Sequence, residues 1–333
     1  MKKNNHLYSL DLLRGFSGYG VAFCHLFAFV YKDVHLEYFS LLFVEFFFVL
    51  SGFVLYPQLI QVLENKKNLL IFYQRRWMRT LPLYFIIVFF TSAIFGEVFS
   101  KDFFKYLLFI QKMVPNFLNT DYYPVAWSLS IEEFFYLIFP LIIIFFGKKN
   151  FIKKIIILFL FIMIIKLFFA DNVNSNFFRT GTLFRFDAIL LGFILRFAED
   201  KLFRFKYLSL VFLTILIIVY YSVENFILLN EEEYLVKIFF IIFLQILSLL
   251  TLNSFLIFER FMKFKLLKSF SILVSKQTYS VYLIHIIYIY ILTNFQFSVL
   301  YTVLIYLILL FLSSSLIFYS IEKPLLKMRP KLK

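Results

Sequence analysis

Apolar residues run along this chain in long blocks, and polar residues gather between them. A block of about 20 apolar residues crosses the hydrocarbon core as a helix. The pattern predicts ten spans, near residues 8–30, 38–56, 81–98, 126–146, 154–170, 180–197, 207–223, 234–258, 274–293 and 297–319. Eight glycines and seven prolines leave few places for a helix to break. With no internal repeat and no soluble segment, the expected fold is all-α and integral to the membrane. About ten transmembrane helices form one domain over 1–333, with no soluble domain appended. The longest loop on the acidic side, 99–125, contains FFKYLLFIQKMVPNFL, expected to lie along the interface as an amphipathic helix.

Charge orients the series. One alternate set of loops, including both termini, holds 25 Lys and Arg against 5 Asp and Glu. The other set holds 5 basic and 10 acidic residues. Positive loops stay in the cytoplasm, so both termini are expected there, in a multi-pass protein of the cytoplasmic membrane. The net charge of +14 is thereby used in setting topology and meeting anionic lipid heads, and no nucleic-acid partner is expected. Residues 1–6, MKKNNH, read as a basic flank before a retained first helix, since no small-residue cleavage site follows.

Composition agrees: 62% of the residues are hydrophobic, and mean hydropathy is +0.86. The single cysteine, Cys24, excludes an intrachain disulfide. Cys24 points about 100° away from His25 on a helix, so an acyl-cysteine relay is set aside.

Once the loops are sorted, a few ionisable residues remain inside the spans: Asp11, Arg14, His25, Glu45, Glu132, Glu133, Lys166, Arg185, Asp187, Lys237 and His285. Each costs about 2.5–3.5 kcal/mol at bilayer depth and needs a partner or a function. Lys166 and Lys237 lie near span ends and are expected to snorkel. In DLLRGFSGYGVAFCH, the eleven steps from Arg14 to His25 make three turns and roughly 20°. Asp11, Arg14 and His25 thus share one stripe, facing protein or a wet cavity. Asp11 and Arg14 have the spacing of an ion pair. His25 has no local carboxylate and is either a packing histidine or a general base.

In AWSLSIEEFFYLIFP, Ser130 and Glu133 have capping-box spacing, which makes Glu133 a helix-start residue. Glu132 is not needed for that cap. It either favours the helix dipole or orients an imidazole. Glu45 is either functional or core-polar, and His285 is read as structural. Arg185 and Asp187 are two apart, cannot share a helix face, and each should find a partner on another span. YQRRWMRTLP places Arg75, Arg76 and Arg79, three of ten arginines, within five residues of a chain that otherwise prefers lysine. Guanidinium binds phosphate bidentately, so this segment is a candidate phosphate site. No metal ligands are expected.

DLLRG with the later His25, FFFVLSGF after Glu45, RRWMR, WSLSIEEFFYLIFP, FRFDAILLG, TYSVYLIH and IEKP follow one another from residue 10 to about 324. Together they resemble acyltransferase family 3, the bacterial integral-membrane O-acyltransferases. The resemblance implies transfer of an acyl group, often acetyl, from acyl-CoA to hydroxyls of surface carbohydrates or related acceptors. It implies no permanently bound cofactor; acyl-CoA, or acetyl-CoA, is the donor substrate. The family's arginine followed eleven residues later by histidine falls on Arg14 and His25, its Arg-x-x-Arg on Arg76 and Arg79, and its helix-start glutamate on Glu132.

The expected catalytic set is therefore His25, with Glu132 or Glu45 orienting its ring. Arg14, Arg75, Arg76 and Arg79 are expected to hold the acyl-CoA, with Asp11, Arg185, Asp187 and His285 as supporting polar groups. The partners are acyl-CoA, a carbohydrate acceptor and the lipid bilayer. A transporter or flippase for a polar or glycan substrate is the alternative, because buried charges also line permeation paths. The missing repeats, the scarcity of helix breakers and the arginine trio weigh against it. An inactive membrane scaffold would leave the buried charges without use.

Overall fold

The computed structural model describes residues 6–295 and 297–332, and among these there is no strand. The helices follow in order: α1 (Tyr8–Tyr31), α2 (Val34–Glu64), α3 (Asn68–Ile94), α4 (Lys101–Leu107), α5 (Trp127–Phe146), α6 (Phe151–Phe169) and α7 (Ser175–Thr180). Then come α8 (Phe186–Phe197), α9 (Glu199–Leu202), α10 (Lys206–Leu229), α11 (Tyr234–Phe255), α12 (Lys265–Thr293), α13 (Val299–Ile317) and α14 (Lys323–Lys327). Residues 1–5 of the expected basic flank lie outside the described residues.

Among the described residues, eight helical segments are long and apolar enough to cross a membrane. They are Tyr8–Tyr31, Val34–Glu64, Asn68–Ile94, Pro124–Phe146, Glu199–Leu229, Tyr234–Phe261, Lys265–Thr293 and Val299–Lys327. The protein is an all-α, multi-pass membrane protein. Two further segments sit where spans were expected, and they differ from simple spans. The 154–170 region lies in α6, which has 19 residues and carries Lys153, Lys154 and Lys166. The 180–197 region is broken. The chain leaves α7 at Gly181, makes a 3₁₀ turn over Leu183–Arg185, and enters α8, which has only 12 residues. At 1.5 Å per residue α8 reaches about 18 Å, short of a hydrocarbon core of about 30 Å.

The helices group into two compact units. One runs to Leu50 and adds Ala198–Phe226 and Phe243–Ser315; the other holds Ser51–Phe197, Ile227–Ile242 and Leu316–Lys333.

The first unit is built on α1 against α12. Gly15 meets Val274, Gly18 meets Thr278 and His25 meets His285, so partners advance together and the two helices run parallel. A Cβ on Gly15 would lie 2.2 Å from Val274 Cγ2, and one on Gly18 2.7 Å from Thr278 Cγ2. Only a missing side chain permits that approach. Tyr19 donates to Gln277 at 2.8 Å, and Tyr306 donates to the Ala22 carbonyl at 3.1 Å. The start of α1 lacks a side-chain cap of its own. Glu259 takes over, accepting from the Ser9 amide at 2.8 Å and the Tyr8 amide at 3.4 Å, where a carboxylate also suits the helix dipole. Asp11 accepts from Ser275 at 3.0 Å and contacts His6 at 2.5 Å.

In the second unit, Gly52 of α2 lies directly against α8. A Cβ there would sit 1.8 Å from the Ile189 carbonyl oxygen. Neither lysine expected to snorkel does so. Lys166 is 1% exposed and is ion-paired with Asp187 across α6 and α8. Arg185 Nε is 3.8 Å from the other oxygen of Asp187. The face argument fails for this pair because Arg185 stands in the 3₁₀ turn, outside the α-helical geometry that separates residues two apart. Lys237 is also buried, and its ammonium donates to the carbonyls of Ala170 (3.2 Å) and Val173 (2.8 Å) and pairs with Glu232 at 2.9 Å. Both lysines are held by partners the chain brings from elsewhere, which removes the drive to reach water.

The loop after α3 does not form the expected interfacial helix. α4 stops after seven residues, and Phe109 and Asn116 have left-handed φ values of 60° and 52°. The loop closes on Asp102 instead. That carboxylate accepts from Lys105 (2.8 Å) and from the amides of Asn119 (2.8 Å) and Thr120 (2.7 Å). Burial alone would raise its pKa, but these donors outweigh burial and hold it below the usual carboxylate range.

Two predictions follow from these contacts. Gly52→Ala forces backbone apart and costs more than the roughly 1–3 kcal/mol of ordinary overpacking. Gly20→Ala, whose methyl meets only the Phe43 ring, costs less. Thermal melts of both variants in detergent, followed by size exclusion, give the order. Asp102 has a depressed folded pKa, so its stabilisation is full above the unfolded value and is lost as pH falls through the folded one. Asp102→Asn should speed exchange of the Asn119 and Thr120 amides about tenfold or more at neutral pH. Unchanged protection would remove Asp102 as the closure of this loop.

Candidate functional site

Two polar clusters stand out, one in each unit. The first is a histidine pair. His25 projects from α1 and is half-buried, whereas His285 of α12 has no exposure. His285 Nδ1 lies 2.6 Å from the Tyr282 carbonyl oxygen. A carbonyl only accepts, so Nδ1 carries the proton, and the neutral ring presents a lone pair at Nε2. That lone pair accepts from His25 Nδ1 at 2.9 Å. The remaining nitrogen of His25, Nε2, is then left with its lone pair free to accept a proton.

His25 Nε2 faces Ser40 Oγ at 3.0 Å. The same hydroxyl is 2.6 Å from the Glu37 carbonyl oxygen. Ser40 has one proton for two acceptors. A second hydroxyl arriving at Nε2 could take over the donation while Ser40 turns back to its own helix. The ring that orients His25 is thus another imidazole, a role expected of Glu132 or Glu45. Glu45 is buried in the same unit. Arg14 lies half-buried on α1, eleven residues before His25 and about 16 Å away along the axis.

The second cluster gathers around Arg76 of α3. This guanidinium is 9% exposed and stacks over Tyr136 at 5.2 Å and Phe72 at 5.8 Å. Among the described residues it makes no side-chain hydrogen bond, and Nε is a buried donor without an acceptor. Glu132 lies near enough for its charge to act on Arg76 but forms no salt bridge with it. Ser51 donates to one Glu132 oxygen at 2.6 Å and Tyr136 to the other at 3.0 Å. Glu133 is buried and turned toward Thr80 of α3.

The capping box expected at Ser130 and Glu133 is absent. α5 begins three residues earlier, after a 3₁₀ turn over Pro124–Ala126, and Ser130 donates to the Trp127 carbonyl at 2.7 Å. The turn starts the helix, so both glutamates are left on its second turn, pointing to α2 and α3. Ser40, Ser51, Thr80 and Tyr136 were not foreseen. Each is a hydroxyl of ordinary burial, marked only by what another helix places against it.

Glu132 and Glu133 attract the Arg76 charge without a hydrogen bond to it, and buried guanidinium groups are normally hydrogen-bonded. A buried Nε with no acceptor leaves Arg76 with hydrogen-bonding capacity of the kind an anion can use. No group of three or more His, Cys, Asp or Glu among the described residues could hold a metal ion.

Comparison with known proteins gives a consistent answer. The chain is 31% identical over 221 residues to the O-acetyltransferase OatA of Staphylococcus aureus, covering 59% of this chain and 35% of that protein. An uncharacterized protein of Haemophilus influenzae is 29% identical over 153 residues, 41% of this chain and 62% of its own length. The chain therefore spans about a third of OatA. No solved structure matches. A family model described as an acyltransferase domain matches residues 7–321, from the start of α1 to the turn before α14, and the protein belongs to that acyltransferase family.

Proposed function

We propose that this protein transfers an acyl group, acetyl foremost, from cytoplasmic acyl-CoA to a hydroxyl of a cell-surface carbohydrate. The observation that carries this reading is the proton-ordered pair His25–His285, which leaves a lone pair on His25 Nε2 facing a hydroxyl. Family membership and the O-acetyltransferase relative support the acyl chemistry. The basic loops support a cytoplasmic face for the arginine-rich segment, within the cytoplasmic membrane.

The chemistry needs two things from the chain. A hydroxyl is a poor nucleophile until its proton leaves. His25 Nε2 accepts that proton as the acceptor oxygen attacks the acyl carbonyl. His285 accepts the bond from Nδ1 and keeps the ring in the tautomer that allows it. As the thioester C–S bond breaks, the proton held on His25 can be returned to the leaving thiolate, so free CoA thiol is released. The donor is a polyanion, and Arg76, with Arg75 and Arg79 beside it, supplies cationic donors for its phosphates. Arg14 supplies a further cation on α1. Glu132, fixed by Ser51 and Tyr136, holds the ring against which Arg76 stacks, and so sets where its donors point.

His25→Ala should abolish release of CoA thiol from acetyl-CoA while leaving CoA binding within twofold or so, a base of this kind contributing about 10²- to 10⁴-fold. His285→Phe should lower kcat by roughly 10²-fold with little change in donor KM, and His285→Asn, which can still accept from Nδ1, should recover part of it. Full turnover in His25→Ala would remove the base assignment. Arg76→Ala should instead act on binding, weakening acyl-CoA by about 10²-fold, and Arg76→Lys should not restore it because lysine can neither stack nor bind bidentately. Titration of purified variants with acetyl-CoA separates the two classes.

A further inference from the structure

The motif IEKP, residues 321–324, and the basic tail after it have no part in the site described so far. α13 ends in a π-helical turn over Phe318–Glu322, and Pro324 stands in the first turn of the five-residue α14 that follows. A wide turn followed by a proline changes the direction of the chain. Both segments pack against α3, the helix that carries the arginine segment.

The tail is pinned there by a reciprocal pair of contacts. Arg75 Nη1 donates to the Pro330 carbonyl at 2.6 Å, and Arg329 Nη1 donates to the Arg75 carbonyl at 3.4 Å. Arg329 thereby joins Arg75, Arg76 and Arg79, and the charges of all three act on it. Like charges repel, and nothing from the tail neutralises them: residues 325–332 contain Lys327, Arg329 and Lys331 and no acid. Among the described residues none of the four arginines forms a salt bridge. Nε of Arg75, Arg76 and Arg329 are each buried without an acceptor. Burial and the three neighbouring charges pull the Arg329 guanidinium down to about 10, which still leaves it charged at neutral pH.

Four cations, three of them with a buried Nε that meets no acceptor, drawn together by a turn of the chain, describe a site for an anion of several charges. We propose that Arg329 completes a four-arginine polyphosphate site with Arg75, Arg76 and Arg79, and that the C-terminal tail is part of the donor-binding apparatus. The ligand class is a phosphate ester with more than one phosphate group, such as the nucleotide end of acyl-CoA. The proposal rests on the donor reading above and extends it to a residue outside the arginine segment. The IEKP turn then has a task, which is to bring Arg329 back onto α3.

The test uses the full chain in detergent with four probes: acetyl-CoA, adenosine 3′,5′-bisphosphate, inorganic pyrophosphate, and nanodiscs of phosphatidylglycerol against phosphatidylcholine. Arg329→Ala and Arg329→Gln are expected to weaken acetyl-CoA and the bisphosphate about tenfold, with kcat at saturating donor unchanged and Arg329→Lys recovering part of the loss. Arg329→Gln keeps a donor for the Arg75 carbonyl, so a matching loss in both variants assigns the effect to charge rather than to a released tail. If Arg76→Ala loses the nucleotide but both Arg329 variants bind it like wild type, the tail inference is overturned and the donor reading stands. If wild type binds pyrophosphate through Arg329 but no nucleotide, the four-arginine polyphosphate site stands with another ligand and the donor reading falls; if Arg329 matters only for binding to phosphatidylglycerol nanodiscs, the cluster serves single lipid phosphates and the polyphosphate proposal is overturned.

Discussion

A polar group at bilayer depth has no water to fall back on, and the rest of this structure follows from that constraint. Every ionisable side chain within the helices must be met by protein or by a substrate. Most are met by protein: Asp187 by Lys166 and Arg185, Lys237 by two carbonyls and Glu232, Glu132 by Ser51 and Tyr136. Among the described residues several buried groups are not fully met in that way, the Glu133 carboxylate and the Arg75 Nε among them, and two of these exceptions bear on the proposed chemistry. His25 keeps a lone pair facing a hydroxyl whose proton is shared, and Arg76 keeps a buried Nε with no acceptor. In a membrane such exceptions are expensive, and the proposed function rests on these two.

Close backbone approach is what brings the histidines together. Gly15 and Gly18 let α1 settle on α12, and the parallel register then carries His25 to His285 further along the same pair. The His25–His285 contact thus depends on two glycines with no chemistry of their own. In the second unit Gly52 has a similar duty toward α8, the helix that carries Asp187. Small residues at helix contacts are the general means by which membrane helices pack, because lipid offers no hydrophobic drive for association.

Much of this was legible beforehand. Twenty-residue apolar blocks and the charge asymmetry identify a multi-pass α-helical protein without any tertiary information. His25 and Arg76 were also visible, one as an unpartnered histidine in an apolar helix, the other as arginine concentrated in a lysine-rich chain. Failures came where a local rule met a distant partner. Lys166 sits near a helix end and reads as a snorkelling residue, yet Asp187, from α8, claims it. Ser130 and Glu133 have the spacing of a cap, yet the Pro124–Ala126 turn had already started the helix.

What the amino-acid sequence alone determined is the set of properties that depend on neighbours along the chain: helix content, membrane residence, and which charged residues needed explaining. Helical periodicity and the cost of burying charge are local, so they can be read one segment at a time. Only the tertiary structure decided which group answers which. It turned His285 from a packing residue into the partner that sets the tautomer of His25, and it brought Arg329 from the end of the chain to Arg75. Hydrogen bonds reach about 3 Å and carry no record of sequence distance, so pairs separated by hundreds of residues are chosen by packing alone.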